Sequence, residues 1–423
     1  KAMARYSDYK DSGVQWLGEI PSHWEVVRAK YLFKKELRAI RNNDDIITCF
    51  RDGEVTLRKN RRTTGFTEAT DYSHYQHICK GDLVIHQMDA FAGSCGVSDS
   101  DGMGSPILSV CTALTNKTDN YYFAHAIRLM GWNGFIYSLY RGIRERSSDF
   151  RFDTFQKLFL PLPPREEQEG IVAYLDEKCE KLDKLVAAKE RKIALLGEMK
   201  QRLISDAVTR GLNASAPLKA TTIPWLPQVP AHWEMLRNKT FLTLTDEKVG
   251  NRKDITLLSL TKQGVIIRDL SEGKGKFPKD FDTYLIVHPN NLVFCLFDID
   301  ETPRTVGLVH NYGMLTGAYT NFEVNEDIVL PEFAYYYYLQ VDDKKGLRPF
   351  YTGLRKVVKS TTFLQLRMPV PPVEEQREIV AYIEERAEKI DALVAKLRAE
   401  IEHIKEYKQR LISDVVTGQI KVC

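Results

Sequence analysis

Two long stretches of the chain carry apolar residues at heptad spacing. In the first stretch, one set of heptad positions holds Val172, Cys179, Val186 and Ile193, and the set three residues later holds Leu175, Leu182, Lys189, Leu196 and Leu203. The second stretch holds Val380, Ala387, Val394 and Ile401, with Ile383, Ile390, Leu397, Ile404 and Leu411 three residues later. This pattern is typical of a coiled coil, so we predict two long helices that pair. The alternative, a surface helix packed on its own domain, rarely exceeds about 25 residues.

The two stretches are copies of each other. Residues 160–210 align with residues 368–418 without a gap, and more than half of the positions are identical. A second match lies upstream, where WLGEIPSHWE (Trp16–Glu25) resembles WLPQVPAHWE (Trp225–Glu234). Two copies of a unit of about 208 residues indicate a tandem duplication and not a solenoid.

Proline and glutamate mark the point where each long helix begins. PLPPREEQ (Pro161–Gln168) and PVPPVEEQ (Pro369–Gln376) come just before the heptads. Proline presets the first turn of a helix, and carboxylates are favoured at its positive N-terminal end. His23 and His232, each followed by a tryptophan, are predicted to pack at this junction.

Helix length predicts how the two helices pair. A helix of about 45 residues is roughly 65–70 Å long. The segment 210–224 that follows the first helix spans at most about 50 Å even when fully extended. We therefore expect the second domain at the far end of the first helix and an antiparallel pair. Lys200 and Lys408 fall at heptad positions, so they need solvent or a partner on the opposite helix.

Short β-type runs fill the two divergent regions between these elements. GDLVIHQM and NLVFCLF are examples, and each region also carries a helical segment, Asn120–Met130 or Pro331–Val341. The predicted fold class is α/β (α+β): two similar mixed α/β domains separated by a long antiparallel two-helix coiled coil with pseudo-two-fold symmetry. The predicted boundaries are 1–160 for the first domain, 161–210 for the first long helix, 211–224 for a linker, 225–367 for the second domain and 368–423 for the second long helix.

Basic and polar residues cluster inside both divergent regions. A single cluster is most simply a solvated surface, but clusters in comparable positions of both copies suit phosphate anchoring and base reading. YRGIR (Tyr140–Arg144) and YTGLR (Tyr351–Arg355) form such a pair. The candidate DNA-binding residues are Arg58, Lys59, Asn60, Arg61, Arg62, Gln87, Arg141, Arg144, Arg146, Arg268, Lys274, Lys276, Arg304, Arg355, Lys356 and Lys359.

Composition and missing motifs narrow the function further. The formal net charge is only +3 over 423 residues, although a DNA binder needs no more than local basic faces. Seven scattered cysteines without a CxxC pair indicate reduced thiols. We expect a cytoplasmic protein, because the sequence has no run of about 18 apolar residues and no signal-peptide core at its start. The chain also has no Asn-Pro-Pro, Asp-Pro-Pro or GxxxxGK[ST] motif and no metal-ligand spacing, so we expect no catalytic residues, no bound cofactor and no metal.

The repeated junction resembles a known family. PxPPxEEQxxIVAYL before a heptad helix, twice, with PxHWE before each divergent region, is similar to the specificity subunit of type I restriction–modification enzymes. The resemblance covers nearly the whole chain. It implies two target-recognition domains, each reading one half of a split double-stranded DNA target. It also implies that the long helices dock two adenine-methylating modification subunits, which a restriction–translocation subunit joins. S-adenosylmethionine is then expected on those partners and not on this chain.

The residues by themselves leave a second hypothesis open. A duplicated coiled-coil adaptor that binds peptides or other ligands would have the same pair of long helices but no affinity for DNA. If the chain reads DNA, its two divergent regions should read different half-sites, because their sequences differ. Duplex binding with a steep salt dependence would separate the two hypotheses.

Overall fold

The computed structural model describes residues 4–61, 64, 71–139, 150–268 and 281–422. The chain forms two compact units, Lys1–Lys189 with Ala399–Cys423 and Glu190–Arg398. Each long helix therefore contributes one part to each unit. No helix in the described ranges is both long and apolar enough to cross a membrane.

The first unit is built from short strands and one longer helix. Its strands are β1 (Tyr9–Asp11), β2 (Glu19–Pro21), β3 (Glu25–Arg28), β4 (Phe33–Glu36), β5 (Ile47–Cys49), β6 (Val55–Leu57), β7 (Gln76–Ile78), β8 (Leu83–His86), β9 (Cys95–Val97), β10 (Gly102–Gly104), β11 (Leu108–Ala113) and β12 (Phe159–Leu162). Its helices are α1 (Asn120–Trp132), α2 (Phe135–Ser138), α3 (Phe152–Phe155) and the first part of α4 (Arg165–Arg210). The end of the last helix also belongs to this unit.

The second unit has the same kinds of elements. Its strands are β13 (Leu218–Ile223), β14 (Leu226–Pro230), β15 (Glu234–Arg237), β16 (Leu242–Thr245), β17 (Leu258–Thr261), β18 (Gly264–Ile267), β19 (Leu285–Val287), β20 (Leu292–Phe294), β21 (Val306–Leu308), β22 (Gly313–Leu315), β23 (Thr320–Val324) and β24 (Arg367–Val370). Its helices are α5 (Pro331–Asp343), α6 (Ser360–Gln365) and most of α7 (Val373–Val416). The segment expected to be a linker contains β13.

The two units share one strand arrangement. The four-stranded antiparallel sheet has the order β4-β11-β8-β9 in the first unit and β16-β23-β20-β21 in the second. The two-stranded ladders correspond as well: β1-β2, β3-β12, β5-β6 and β7-β10 match β13-β14, β15-β24, β17-β18 and β19-β22. Each strand of the first unit thus has a counterpart twelve places later. The prediction of a duplicated mixed α/β fold is confirmed.

Local sequence explains the central elements of each unit. The inner strand β8 begins with Leu83, Val84 and Ile85, which are all fully buried, because both faces of the strand are covered. Asp119 caps α1, since its carboxylate accepts hydrogen bonds from the first backbone amides of that helix. In α5, Pro331 occupies the first turn instead, where a missing N–H costs nothing.

The long helices are packed into the core of each unit. In the first unit, Ile171 and Leu175 of α4 and Leu411 and Val415 of α7 join the apolar cluster around Trp24. In the second unit, a cluster around the buried Trp233 contains Ile204, Val208, Ile379 and Ile383. The beginning of one helix therefore lies beside the end of the other in each unit.

Ion pairs confirm the antiparallel direction within each unit. In the first unit, Asp183 of α4 bonds to Lys408 of α7 at 2.6 Å, and Lys189, later in α4, bonds to the earlier Glu400 at 2.5 Å. In the second unit, Lys200 bonds to Asp391 at 2.6 Å. The two lysines predicted at heptad positions thus each meet an aspartate of the partner helix.

Candidate functional site

A glutamate at the start of each long helix holds the preceding β segment. In the first unit, the Glu167 carboxylate accepts a hydrogen bond from Trp24 Nε1 at 2.9 Å and lies 2.6 Å from His23 Nε2. Burial opposes ionisation of Glu167, but hydrogen bonds from Trp24, His23 and Tyr6 hold the pKa of this carboxyl below its ordinary value. The predicted packing of His23 at this junction is therefore a hydrogen bond to the helix.

The second unit repeats this contact. Glu375 accepts from Trp233 Nε1 at 3.0 Å and lies 2.8 Å from His232 Nε2. The HWE and EEQ motifs, which are distant in sequence, thus meet in both units. We refer to these contacts, with those of the neighbouring glutamines, as the junction clamp.

The glutamine after each of these glutamates completes the clamp. Gln168 donates to the carbonyls of Pro163 and Lys117, both at 2.8 Å, and accepts from Asp119 N at 2.9 Å. Gln376 makes the same set of bonds, to Pro371, Ile328 and Leu330. Both glutamine side chains are fully buried, so each satisfies backbone groups that water does not reach. The clamp fixes the orientation of α1 or α5 on the long helix of its unit.

The predicted basic residues at the β5-β6 and β17-β18 hairpins occupy matching positions. Arg58 follows β6 and its backbone N donates to Ile46 O at 2.7 Å, and Arg268 follows β18 and donates to Leu257 O at 2.9 Å. The sequence around the two arginines is not similar. The structure therefore pairs two candidates that the sequence analysis had not related.

The candidates that follow β6, Arg58 to Arg61, have acidic neighbours. Lys59 bonds to Asp45 at 2.5 Å, and Arg61 bonds to Asp52 and Glu54, both at 2.8 Å, while it lies over the Phe50 ring. Asn60 donates to Thr56 at 2.8 Å. These are surface pairs worth about 1 kcal/mol or less, so a phosphate could replace the acids as the partner of Lys59 or Arg61.

In the second unit, the turn 352–357 presents Arg355 and Lys356. Arg355 is 77% exposed and only 3.7 Å from Asp298, and Lys356 lies 3.1 Å from Asp300. Arg348 bonds to the same Asp300 at 2.8 Å, and these cations lower the pKa of Asp300 to about 2. The turn is closed by two backbone hydrogen bonds between Thr352 and Val357, and Val358 N then donates to Leu296 O, just after β20, at 2.8 Å.

The backbone bond that follows this turn has a counterpart in the first unit. Phe150 N donates to Gln87 O at 2.9 Å, and Gln87 is the counterpart of Leu296 on the strand alignment. The Gln87 amide itself bonds to Pro106 O and Ser109 Oγ. The residue whose carbonyl accepts this bond is therefore polar in the first unit and apolar in the second.

The remaining candidates fall into two groups. Lys359 is exposed at the start of α6. Arg304, in contrast, is 17% exposed and bonds to Asp343 and the buried Asp342 at 3.1 and 3.4 Å. Arg304 therefore lies against two carboxylates, one of them buried. Six candidates lie outside the described residues: Arg62, Arg141, Arg144, Arg146, Lys274 and Lys276.

Two arginines that were not among the predicted candidates share these sites. Arg51 bonds to Asp89 at 2.9 Å, and Asp89 is the counterpart of Asp298. Arg348 shares Asp300 with Lys356. Neither arginine lies in a basic run, so only their acidic partners, which follow the aligned β8 and β20 segments, could have indicated them.

Comparisons with known proteins agree with this architecture. Residues 309–403 match the family model of the type I restriction modification DNA specificity domain. The chain is 24% identical over 447 residues to a putative type I restriction enzyme MjaX specificity subunit of Methanocaldococcus jannaschii, covering 96% of each chain. It is 22% identical to the MjaVIII specificity subunit of the same organism, covering 95% of this chain and 94% of that one.

Solved structures share the fold. A chain from a study of complex assembly and conformational transition of the type I R-M system superposes with a TM-score of 0.69 at 14% identity, covering 94% of this chain and 98% of that chain. The HsdS subunit of Thermoanaerobacter tengcongensis superposes with a TM-score of 0.53 at 15% identity, with 95% and 98% covered. The specificity-domain match over residues 309–403, the full-length relatives and the shared fold are all similarities to specificity subunits of type I restriction–modification enzymes.

Proposed function

We propose that the chain reads an asymmetric, bipartite DNA target and directs partner enzymes to it. Each unit would read one half-site in double-stranded DNA, with an unread gap between the half-sites. Chemistry would occur on adenine-methylating modification subunits that carry S-adenosylmethionine, so this chain would be non-catalytic. The protein would act in the cytoplasm, where the DNA is.

The proposal rests on one contrast: the strands and the junction clamp are the same in both units, whereas the residues of the loops differ. The two units match strand for strand, and both close the junction clamp with the same residues. The loop sequences differ, however: Arg58 is followed by Lys59, Asn60 and Arg61, whereas its counterpart Arg268 is followed by Asp, Leu and Ser, and Gln87 stands against Leu296. Side chains that differ in donor and acceptor pattern select different base pairs, so the two half-sites should differ.

A second observation supports two identical partners. Apolar side chains are exposed on the long helices at positions that repeat in both copies. Leu185 and Leu393 are 45% and 37% exposed, and Met199 and Tyr407 are 54% and 47% exposed. Each pair is separated by the repeat length of 208 residues.

These residues define one docking patch per unit. Tyr407 lies near Tyr174 in the first unit, and Leu185 is eleven residues from Tyr174, which places both on one side of α4. In the second unit, Tyr382 and Met199 line a common groove of about 310 Å³. Exposed apolar groups on a helix indicate a protein interface, so we propose that each patch receives one modification subunit. A restriction–translocation subunit would join through these subunits.

The DNA hypothesis and the adaptor hypothesis predict different binding. We expect the purified complex with modification subunits to select, from random duplexes, a sequence in two separated blocks. The affinity should fall steeply with salt, by a slope of about 0.9 for each phosphate contact. Binding to modification subunits without any duplex affinity would favour the adaptor. Methylome sequencing of cells that express the complex would then give the target itself.

A further inference from the structure

His77, Cys79 and Asp101 lie together in the first unit, outside the loops described above. One ring nitrogen of His77, the sulfur of Cys79 and a carboxylate oxygen of Asp101 are all within 4.8 Å of one another. The β7-β10 ladder explains the grouping. His77 and Cys79 are two residues apart and share a face, and Asp101 stands opposite Cys79, one step beyond the Ile78–Gly102 pair.

The two nitrogens of His77 have different surroundings. Nδ1 lies 2.8 Å from Asp44, whose carboxylate is also held by Arg41 N at 2.8 Å. Nε2 has no hydrogen-bond partner among the described residues, and the His77 side chain is only 1% exposed. A buried polar atom without a partner costs about 1–3 kcal/mol, so something absent from the protein chain is expected to bind it.

The surroundings resemble those of a metal-binding histidine. Such a histidine usually gives its second N–H to a carboxylate, as His77 does to Asp44, which leaves Nε2 as the ligand. Asp101 is oriented in the same way, because Lys80 N donates to its Oδ1 at 2.7 Å, while no hydrogen bond to Oδ2 is found within the described part of the chain. Thiolate, imidazole and carboxylate are the ligands that Zn²⁺ prefers, and their two negative charges balance its charge.

We propose that His77 Nε2, Cys79 Sγ and Asp101 Oδ2 bind one zinc ion, with water as the fourth ligand. Zinc–ligand bonds of about 2.0–2.3 Å bring ligand atoms to roughly 3.5 Å, so the side chains move inward by up to about 1 Å. The thiol of Cys79 loses its proton to solvent on binding, and the metal is neither oxidised nor reduced.

The site would stiffen the hairpin that carries Arg58. Asp44 lies just before β5, and Met103 N donates to Asp45 O at 2.9 Å, so β10 already touches this segment. A metal on His77 and Asp101 would fix β7, β10 and the segment 44–46 as one block. This role does not depend on what the chain binds.

Metal analysis of the full-length protein tests the site. After chelator treatment and dialysis against Zn²⁺ or Co²⁺, the wild type should retain about one ion per chain. The Co²⁺ form should show a thiolate-to-metal absorption in the near ultraviolet. Cys79→Ser should abolish that absorption and most of the bound metal, and Asp101→Asn should weaken retention. Asp44→Asn, which changes only the residue behind His77, should lower affinity by about 10–100-fold.

Matched controls separate the site from general thiol or histidine binding. Cys111→Ser removes a buried cysteine on β11, and His74→Ala removes an exposed histidine three residues from His77. Both should keep the wild-type metal content and spectrum. Absence of stoichiometric metal in the wild type would overturn the proposal, and so would equal retention by Cys79→Ser. Asp101→Asn alters an exposed side chain, so it remains informative if a His77 variant does not fold.

Discussion

One carboxylate holds several groups of the first unit to its long helix. Glu167 accepts from Trp24, His23 and Tyr6, and its folded-state pKa lies below the usual 4.5. A lowered pKa means that the stabilisation is complete above the unfolded-state pKa and is lost as the pH falls through the folded-state pKa. The stabilisation that the junction clamp contributes should therefore be smallest at acidic pH.

Glu167→Gln should expose this dependence. We expect the free energy of unfolding at neutral pH to fall by about 1–3 kcal/mol, because the charged acceptor is replaced by a neutral one. The difference from the wild type should begin to shrink as the pH drops below about 4.5, where the unfolded-state carboxyl takes up a proton, and it should vanish below the lowered folded-state pKa, where the folded wild-type carboxyl is protonated too. Urea unfolding at several pH values measures both effects. Glu166→Gln, at an exposed neighbouring position, is the control, and an equal loss there would contradict the clamp.

Substitution of two arginines of the second unit, Arg355 and Arg304, should have different effects on stability and on DNA affinity. Arg355 is 77% exposed with a weak contact to Asp298, so Arg355→Ala should leave stability unchanged. It should reduce DNA affinity and lower the salt slope by about 1, as loss of one phosphate contact does. Fluorescence anisotropy on one duplex at several salt concentrations measures the slope.

Arg304→Ala is the matched comparison. It leaves the buried Asp342 with Lys345 and Thr305 N as remaining partners, so we expect a loss of about 1–3 kcal/mol in stability. The salt slope should not change. A reduced slope with unchanged stability would instead assign Arg304 to the DNA surface.

At the level of elements, periodicity predicted the long helices well. A heptad pattern is a local property that repeats over many turns, so it predicted two long helices, which are α4 (Arg165–Arg210) and α7 (Val373–Val416). The pairing of short strands is not local. The sequence around Arg58 does not resemble that around Arg268, and only the β5-β6 and β17-β18 ladders show that the two correspond.

The same limit applies to the contacts of individual side chains. Trp24 and Glu167 are 143 residues apart, and their hydrogen bond follows from the packing of α4 against the β segment. The sequence predicted a junction there, because the motifs recur together, but it did not predict which glutamate would accept. Arg304 stays a predicted DNA-binding residue, because a basic residue beside polar residues has the same sequence pattern whether or not a buried carboxylate such as Asp342 faces it.

The docking patches predict an effect on stoichiometry. Leu185→Glu places a charge in the first patch and Leu393→Glu places one in the second, so each should remove one modification subunit and the double variant should remove both. Burying an unpaired carboxylate at an interface is unfavourable by several kcal/mol. Native mass spectrometry of the complex counts the subunits.

A third leucine provides the control for these variants. Leu195 is 54% exposed on the same helix, but its counterpart in the second copy is His403, so the position is not repeated. Leu195→Glu should leave two subunits bound. Loss of a subunit in this variant would show that apolar exposure, and not the repeated patch, governs docking.

For the whole molecule, the duplication predicts that recognition is modular. Both units carry their own core, their own strand set and their own junction clamp, so the loops of one unit can change without altering the frame of the other. Replacing residues 26–160 with the same region of a similar specificity subunit should therefore change one block of the target and leave the second block and the gap as they were. The methylation pattern of cells expressing the chimera with its modification subunits would show both blocks and the length of the gap. Changes in both blocks would show that the two units do not read independently, because the loops of one unit would then influence the half-site chosen by the other.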